Sequence, residues 1–146
     1  GRMEEFRTCL TGELFSLLAT QSVLRHTTSA AGWNESAFQK AFRASLAHPE
    51  TILSECFRLR SEALLRGMNG VESHSRLSGL LLGLELAGIQ ADFGDVSSVH
   101  LVGCPEMVRF YRAALETVGI SVETTLAEDA VLRGLTRHWI EGIRGS

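Results

Sequence analysis

The sequence predicts an α/β fold, and three observations support that prediction. With 146 residues, of which 45% are apolar and 21% charged, the chain can bury the core of a single domain spanning residues 1–146. Its last third alternates short β-branched runs with amphipathic stretches, in the order strand, helix, strand, helix. Its middle, about residues 34–88, has helical periodicity throughout, which predicts a large helical insert beside the sheet.

The first element is predicted to be a strand followed at once by a helix. Apolar and polar side chains alternate from Glu5 to Thr11, the period of a half-buried strand. Gly12 breaks that alternation, and residues 13–19 switch to helical spacing. The stretch "HTTSAAGWN" then predicts a loop that ends in the helix N-cap residue Asn34.

Two amphipathic helices are predicted next, over residues 35–46 and 49–66. The second places Leu53, Phe57, Arg60 and Leu64 on one stripe. A buried ion pair or a snorkelling side chain is the favoured interpretation of Arg60 on that stripe, ahead of the binding of a substrate anion.

A third helix, over residues 72–87, is apolar on most of its circumference and is therefore predicted to be buried. Gly79 and Gly83 lie four residues apart on it. Small residues at that spacing allow the backbone of another helix to approach closely.

The last third, about residues 98–140, predicts one βαβ unit with a covering helix. "SVHLVG" and "ISVETTL" are the strands, "PEMVRFYRAALETVG" connects them, and "AEDAVLRGLTRHWIEGI" follows. A strand–helix–strand connection of this length implies a parallel pair. Three strands are few for about six helices, so we expect further strands upstream of Gly1 to complete the sheet.

Composition excludes several classes of protein. The net charge is −3 and the isoelectric point about 6.0, so no excess of basic residues indicates binding to nucleic acid or to an anionic membrane. The apolar run "LSGLLLGLELAGI" is too short to span a bilayer. No signal peptide opens the chain, and three widely separated cysteines predict neither a disulfide framework nor a zinc site. These features favour a cytoplasmic protein.

Two strand-to-helix corners, residues 11–13 and 103–106, are the candidate ligand sites. Helix N-termini at the carboxyl ends of parallel strands bind phosphates, and both corners would share one sheet edge if the first strand were parallel to the others. The alternative is purely structural: glycine and proline are common in such turns, and Glu13 and Glu106 complement the helix dipoles.

The remaining reactive residues give weaker signals. The five histidines form no metal-binding pair, and His100 is interpreted as a satisfied core or edge residue of its strand. Cys104 starts a helix but has no His or Lys beside it in sequence, so a small turn residue is favoured over an activated thiol. No Walker A loop, G-x-G-x-x-G or G-x-S-x-G is present.

Longer motifs resemble a known family. "GRMEEFRTCLTGELFSLLATQSVLRHT", "CFRLRSEALL", "RLSGLLLGLEL", "VHLVGCPEMVRFYRAAL" and "AVLRGL" are similar, in this order, to the C-terminal part of the 2-dehydro-3-deoxygalactonokinases. The resemblance implies a ribonuclease H-like domain of the actin and hexokinase superfamily, with a mixed sheet that lacks its first strands here. It also implies ATP- and Mg²⁺-dependent phosphorylation of 2-dehydro-3-deoxy-D-galactonate at O6, in galactonate catabolism.

The resemblance further implies where the nucleotide binds. Gly103, Cys104 and Pro105 would form the adenosine turn with Met107 behind it, and the helix around Arg76 and Gly79 would form another wall. Thr11 and Gly12 would lie near the phosphates. No residue of this chain is predicted to ligate metal. The N-terminal half of the same protein would be its partner, and the protein could also form a homo-oligomer.

The departures from the family pattern leave alternatives open. The family's phosphate loop, its acceptor-binding residues and a catalytic base are expected outside this chain, so these 146 residues alone should not phosphorylate a sugar acid. Cys104 also stands where the superfamily often has Gly or Ser. A kinase for another sugar or sugar acid, and a non-catalytic α/β module that binds a metabolite or partner, are the alternatives.

Overall fold

The structure, a computed structural model, describes residues 6–28 and 32–144, with side-chain surroundings as far as residue 136. The chain forms two compact units, Gly1–Gly94 and Asp95–Ser146, called here the helical unit and the α/β unit. Their boundary lies between the predicted helical insert and the predicted strand–helix–strand–helix segment. That the two units make up one domain of a larger protein stays a prediction.

Within residues 6–28 and 32–94, the helical unit consists of four α-helices and two short 3-10 helices. The α-helices are α1 (Thr11–Thr20), α2 (Glu35–Ala47), α3 (Ile52–Arg66) and α4 (Gly70–Phe93), and the 3-10 helices are Val23–His26 and Pro49–Thr51. Their ends follow local sequence signals. The predicted N-cap Asn34 accepts a hydrogen bond from the Ala37 N–H at 3.0 Å, and Asn69 accepts one from Glu72 at 2.8 Å. Gly67 ends α3 with a left-handed φ of 66°.

The core of the helical unit is the packing of α2 against α4. Phe38 and Phe42 of α2 are completely buried. A Cβ atom added to Gly79 would lie 2.4 Å from the Phe38 carbonyl oxygen, and one added to Gly83 would lie 2.6 Å from that of Phe42. The predicted close approach of a second backbone at these two glycines is therefore confirmed.

Helix α3 packs on this core through the side opposite to its predicted stripe. Leu59 is completely buried, whereas Leu53, Phe57 and Leu64 are 84%, 63% and 66% exposed. The four residues do share one face, but that face is turned to solvent. Arg60, on the same stripe, is half-buried and makes no ion pair with the residues whose side chains are described.

The predicted strand over residues 5–11 is wrong for the part that the structure describes. Phe6–Leu10 has no regular secondary structure, and Thr11 already belongs to α1. A strand needs a neighbour for its backbone N–H and C=O groups, and no described residue supplies one. The segment is held instead by Arg7, which donates to the Gly88 carbonyl at 2.8 Å and pairs with Asp92.

The α/β unit has the predicted order β1 (Ser98–Gly103), α5 (Pro105–Thr117), β2 (Ser121–Leu126) and α6 (Ala127–Arg144). The two strands are parallel, with Ser98 opposite Ser121 and Gly103 opposite Leu126. Phe110, Ala114 and Leu115 form the buried side of α5. Gly119 reverses the chain after α5 with a φ of 79°.

The βαβ prediction is confirmed, and the sheet seen in residues 6–28 and 32–144 is this parallel pair. The mixed sheet and the ribonuclease H-like assignment stay predictions. Within the same ranges, no helix is both long enough and apolar enough to cross a membrane.

Candidate functional site

The predicted site residues fall at three places: the β1–α5 corner of the α/β unit, the start of α1, and the middle of α4. The first place holds Gly103, Cys104, Pro105 and Met107. Thr11 and Gly12 form the second, and Arg76 and Gly79 the third. The last two places lie in the helical unit.

The β1–α5 corner is an open helix N-terminus. Cys104 is the N-cap residue in an extended conformation, and its side chain makes no capping hydrogen bond. Pro105 occupies the first turn of α5, where its missing N–H costs nothing. The first intrahelical bond runs from the Val108 N–H to the Cys104 carbonyl oxygen at 3.0 Å. The backbone N–H groups before Val108 thus point out of the helix end, where the dipole favours an anion.

Gly103 is not required by the packing of the chain itself. A Cβ atom added there would contact Val108 Cγ2 at 3.7 Å and Met107 Cβ at 3.8 Å, both ordinary van der Waals distances. Its φ also lies outside the left-handed region. Glycine at this position leaves the end of β1 without a side chain, and Met107 beside it is 38% exposed.

The start of α1 is open in the same way. Leu10 is the N-cap residue, without a side-chain cap, and Gly12 has no neighbour within 4 Å of an added Cβ atom. Thr11 lines an open groove of about 520 Å³ between the segment before α1 and helix α4. Glu13 lies in the same first turn, where it complements the dipole and would repel a phosphate directly on the turn.

Arg76 lies in a polar cleft of about 610 Å³ between α2, α3 and α4. Its guanidinium donates to Glu62, and Arg58 Nε donates to the same carboxylate at 3.0 Å. Arg58 Nη1 in turn donates to Glu55 at 2.9 Å. The result is a chain of alternating charges in which the Arg76 and Glu62 side chains are 19% and 17% exposed.

The electrostatics of this cleft follow from that chain of charges. The hydrogen bond from Arg76 is the main reason that the pKa of Glu62 lies below its usual value, so Glu62 is ionised near neutral pH. Lys40 and Arg66 also line the cleft, and neither pairs with a side chain in the described part of the molecule. The cleft has four cationic side chains, those of Lys40, Arg58, Arg66 and Arg76, and three carboxylates, those of Glu55, Glu62 and Glu72. This excess of positive charge suits an anionic group better than a cation.

The family resemblance named Arg76, but the sequence pattern was not used to find the other charges of the cleft. The signal was available, because Glu55, Arg58 and Glu62 are spaced i, i+3 and i, i+4 along one helix, the spacing of ion pairs on a helix surface. Lys40 lies on a different helix, α2, and no local spacing connects it to α3 or α4.

Gly79 is a packing residue. It is buried, and the α2 backbone at Phe38 and Phe42 occupies the space next to its Cα atom. It shapes the cleft by letting α2 lie close to α4.

The other reactive residues have structural surroundings. His100 is an exposed edge residue whose Nε2 lies 2.8 Å from Thr125 Oγ1 and whose Nδ1 lies 3.3 Å from Glu123. This confirms its interpretation as a satisfied histidine. The three cysteines are free, and burial raises the pKa of the Cys56 thiol to about 11, with a further contribution from Glu55. The described residues contain no group of three or more potential metal ligands.

Comparison with known proteins gives the family. The sequence matches the 2-keto-3-deoxy-galactonokinase family over residues 1–138. It is 38% identical, over 140 residues, to a protein of Rhizobium meliloti named probable 2-dehydro-3-deoxygalactonokinase, and 26% identical, over 134 residues, to the 2-dehydro-3-deoxygalactonokinase of Escherichia coli. The two alignments each cover 92% of this chain, but 45% and 46% of those proteins.

The fold agrees with that match. A crystal structure of a 2-dehydro-3-deoxygalactonokinase family protein from Sinorhizobium meliloti superposes with a TM-score of 0.86 at 36% identity, covering 92% of this chain and 46% of the other. The chain thus spans about half the length of the relatives that it matches. It belongs to the 2-keto-3-deoxy-galactonokinase family.

Proposed function

We propose that this chain is the C-terminal, nucleotide-binding part of a carbohydrate kinase that transfers a phosphoryl group from ATP to O6 of 2-dehydro-3-deoxy-D-galactonate. The observation that carries the proposal is the family match over residues 1–138, with 38% identity to the Rhizobium meliloti protein. The relatives that carry the kinase name are about twice as long, so the acceptor site and the catalytic base belong to the other half of the protein.

In this proposal the β1–α5 corner binds the adenosine part of ATP. Gly103 leaves room for a ligand at the end of β1, and the unpaired N–H groups that begin α5 donate to it. Cys104 and Pro105 shape the turn. The exposed side of Met107 offers a polarisable surface for the flat adenine ring.

We propose separately that Thr11, Gly12 and Arg76 of the helical unit bind phosphate oxygens, through neutral donors at the start of α1 and one positive charge in the cleft. The Thr11 hydroxyl and the open backbone of Gly12 lie at a helix N-terminus, which favours phosphate oxygens. Arg76 supplies a positive charge whose position is fixed by Glu62, so little side-chain entropy is lost on binding. Gly79 acts indirectly, by holding α2 and α4 close enough to form the cleft.

The residues of this chain fit a nucleotide better than they fit a metal ion. ATP supplies the phosphoryl group, and Mg²⁺ bound to its phosphates would neutralise charge as transfer proceeds. Because no cluster of metal ligands exists among the described residues, we assign no Mg²⁺ ligand to this chain. Its task is positioning: holding one end of the nucleotide while the acceptor is presented by the other half. Three free cysteines fit a reducing compartment, and we propose the cytoplasm.

A coupled ADP-release assay on the complete polypeptide tests this function. We expect turnover with 2-dehydro-3-deoxy-D-galactonate, and a phosphorus NMR spectrum that assigns the new phosphate to O6. Turnover with only another sugar acid would show that the protein is a different kinase of the superfamily. Absence of turnover with all of them, together with absence of nucleotide binding in calorimetry, would leave the non-catalytic module as the function.

A further inference from the structure

The segment before α1, residues 6–10, is held in place by little apolar burial. Each of its five residues is exposed, and the two largest apolar side chains, Phe6 and Leu10, are 77% and 64% exposed. The segment has no regular secondary structure, so no ladder of backbone hydrogen bonds fixes it either. Polar contacts therefore have a large share in fixing where this segment lies.

Arg7 supplies such contacts, and both of them are to α4. Its Nη1 donates to the Gly88 carbonyl oxygen at 2.8 Å and pairs with the Asp92 carboxylate. Gly88 and Asp92 are four residues apart, so they lie on the same face of α4, about one turn from each other. The two contacts together hold one guanidinium against the last two turns of the helix.

Two features of α4 match a guanidinium at this position. Its last turn contains Asp92 but no basic residue, although the C-terminal end of a helix dipole favours a positive charge. Arg7 supplies that charge from another segment. In addition, the three atoms nearest to a Cβ added at Gly88 all belong to the Arg7 guanidinium, at 3.4–3.7 Å. The guanidinium thus occupies the space that a side chain at residue 88 would fill.

The contact lies close to the start of α1. Arg7 precedes Thr11 by four residues, which separates their backbones by at most about 14 Å. The first intrahelical bond of α1 runs from the Leu14 N–H to the Leu10 carbonyl oxygen at 2.8 Å, so the N–H groups of residues 11–13 have no partner within the helix. The direction in which these groups point depends on how the chain enters α1.

The other support for α1 lies further along the helix. No residue of α1 is buried, but four partly buried side chains pack against the core of the helical unit: Leu14, Phe15, Leu18 and Ala19. The first turn has no side-chain cap, and Gly12 has no neighbour within 4 Å of an added Cβ atom. Arg7 is therefore the anchor on the upstream side of this turn.

We propose that Arg7 is a positioning residue for the nucleotide: by binding Gly88 and Asp92, it fixes the entry into α1 and so directs the N–H groups of the first turn at the phosphates. The inference rests on the proposed function, in which Thr11 and Gly12 lie at the phosphates. Arg7 acts through the backbone of its segment and does not itself contact the nucleotide. Since the Arg7 and Asp92 side chains are 39% and 53% exposed, their contact contributes little to the stability of the fold.

Steady-state kinetics of the complete polypeptide give the first test. Arg7→Ala should raise the Michaelis constant for ATP at least about fivefold, because misdirected groups in a site lose much of their effect. Asp92→Ala should raise it at least about threefold, as should Gly88→Val, which keeps both charges but fills the space of the guanidinium. The constant for the sugar acid and the unfolding midpoint should keep their wild-type values.

Two further variants make this test specific. The double variant Arg7→Ala with Asp92→Ala should be no worse than Arg7→Ala alone, because both changes remove one contact. Arg25→Ala is the matched control and should have the wild-type ATP constant. Its guanidinium also donates to a backbone carbonyl, that of Ser22 at 3.3 Å, but it links no distant segment.

A spin label follows the segment without using activity. Cys9 lies two residues after Arg7 and is exposed, so a nitroxide can be attached to it in a polypeptide whose other cysteines are replaced by serine. We expect the electron paramagnetic resonance spectrum of a restrained probe. Arg7→Ala should give the narrower lines of a mobile probe, and Arg25→Ala should leave the spectrum as it is.

Four results would overturn the inference. Two are an unchanged ATP constant and an unchanged Cys9 spectrum in Arg7→Ala. The third is an ATP constant that rises in Arg7→Ala but not in Asp92→Ala or Gly88→Val, because Arg7 would then bind the nucleotide directly. The fourth is a joint change of both Michaelis constants and the unfolding midpoint, which indicates a structural role. These results require an active wild type; a wild type without turnover and without nucleotide binding would overturn the proposed function, and this inference with it.

Discussion

Replacing Gly79 with alanine tests the helix contact on which the cleft depends. The new Cβ atom would lie 2.4 Å from the Phe38 carbonyl oxygen and 3.0 Å from the Phe42 nitrogen. Ordinary contact begins near 3.4 Å, so α2 and α4 must separate locally by about 1 Å. Both neighbours are backbone atoms, which cannot rotate away as a side chain could. Overpacking of this kind costs about 1–3 kcal/mol, against a gain of up to about 1 kcal/mol in helix propensity.

The expected net loss is about 2 kcal/mol in the free energy of unfolding, since the clash is with backbone on two sides. Urea unfolding of the complete polypeptide, followed by far-ultraviolet circular dichroism, measures it; the melting temperature should fall by about 4–8 °C. Gly134→Ala is the matched control, because that helical glycine has no atom within 4 Å of an added Cβ. A Gly79→Ala protein as stable as the wild type would refute the proposed contact between α2 and α4.

Two further predictions concern ionisable groups. Glu62→Gln should destabilise the protein by about 1–2 kcal/mol at neutral pH, because Arg76 loses its carboxylate partner. The folded pKa of Glu62 lies below the usual 4.5, so the stabilisation by the ion pair is present above that value and is lost as the pH falls through the lower folded pKa. The unfolding midpoints of the wild type and of Glu62→Gln should therefore converge between neutral pH and pH 3. A difference that stays constant over this range would contradict the ion pair. Cys56, with a thiol pKa of about 11, should be alkylated by iodoacetamide much more slowly at pH 8 than the exposed Cys104, which mass spectrometry of tryptic peptides can measure. Equal rates would show that Cys56 is not buried as described.

The helices and their ends could be predicted from the sequence because their causes are local. Asn34 caps α2 through a hydrogen bond to a residue three positions away, and Gly67 ends α3 because glycine adopts a left-handed φ at little cost. The close approach of α2 at Gly79 and Gly83 could also be predicted, since two small residues four positions apart lie on the same face of a helix. In each case the determining atoms lie within a few residues of one another.

The errors arose where the structure depends on distant neighbours. Residues 6–10 alternate as a strand should, but a strand exists only beside another strand, and alternation does not reveal whether one is present. The stripe on α3 was located correctly, yet helical periodicity cannot say whether a stripe faces the core or solvent. The buried residue Leu59 decides that question, and it stands between charged residues in the sequence.

The candidate site was predictable in part for the same reason. The β1–α5 corner follows from a strand, a glycine and a proline in succession, so its location needed only local information. The polar cleft around Arg76 combines side chains from three helices. These helices come together only through tertiary packing. No sequence pattern predicts that Lys40 of α2 lines the same cleft as Arg76.

The Michaelis constant for ATP of the complete polypeptide carrying Gly103→Val tests most directly whether the nucleotide binds at the β1–α5 corner. The nearest atoms to a Cβ added at residue 103 are Val108 Cγ2 at 3.7 Å and Met107 Cβ at 3.8 Å, so valine should fit the folded chain, while its branches would occupy the space proposed for the nucleotide. We predict an ATP constant raised at least about tenfold, equivalent to about 1.4 kcal/mol, with the constant for the sugar acid and the unfolding midpoint unchanged. An ATP constant equal to that of the wild type and of Gly134→Ala, in a folded protein, would contradict the assignment of the nucleotide to this corner.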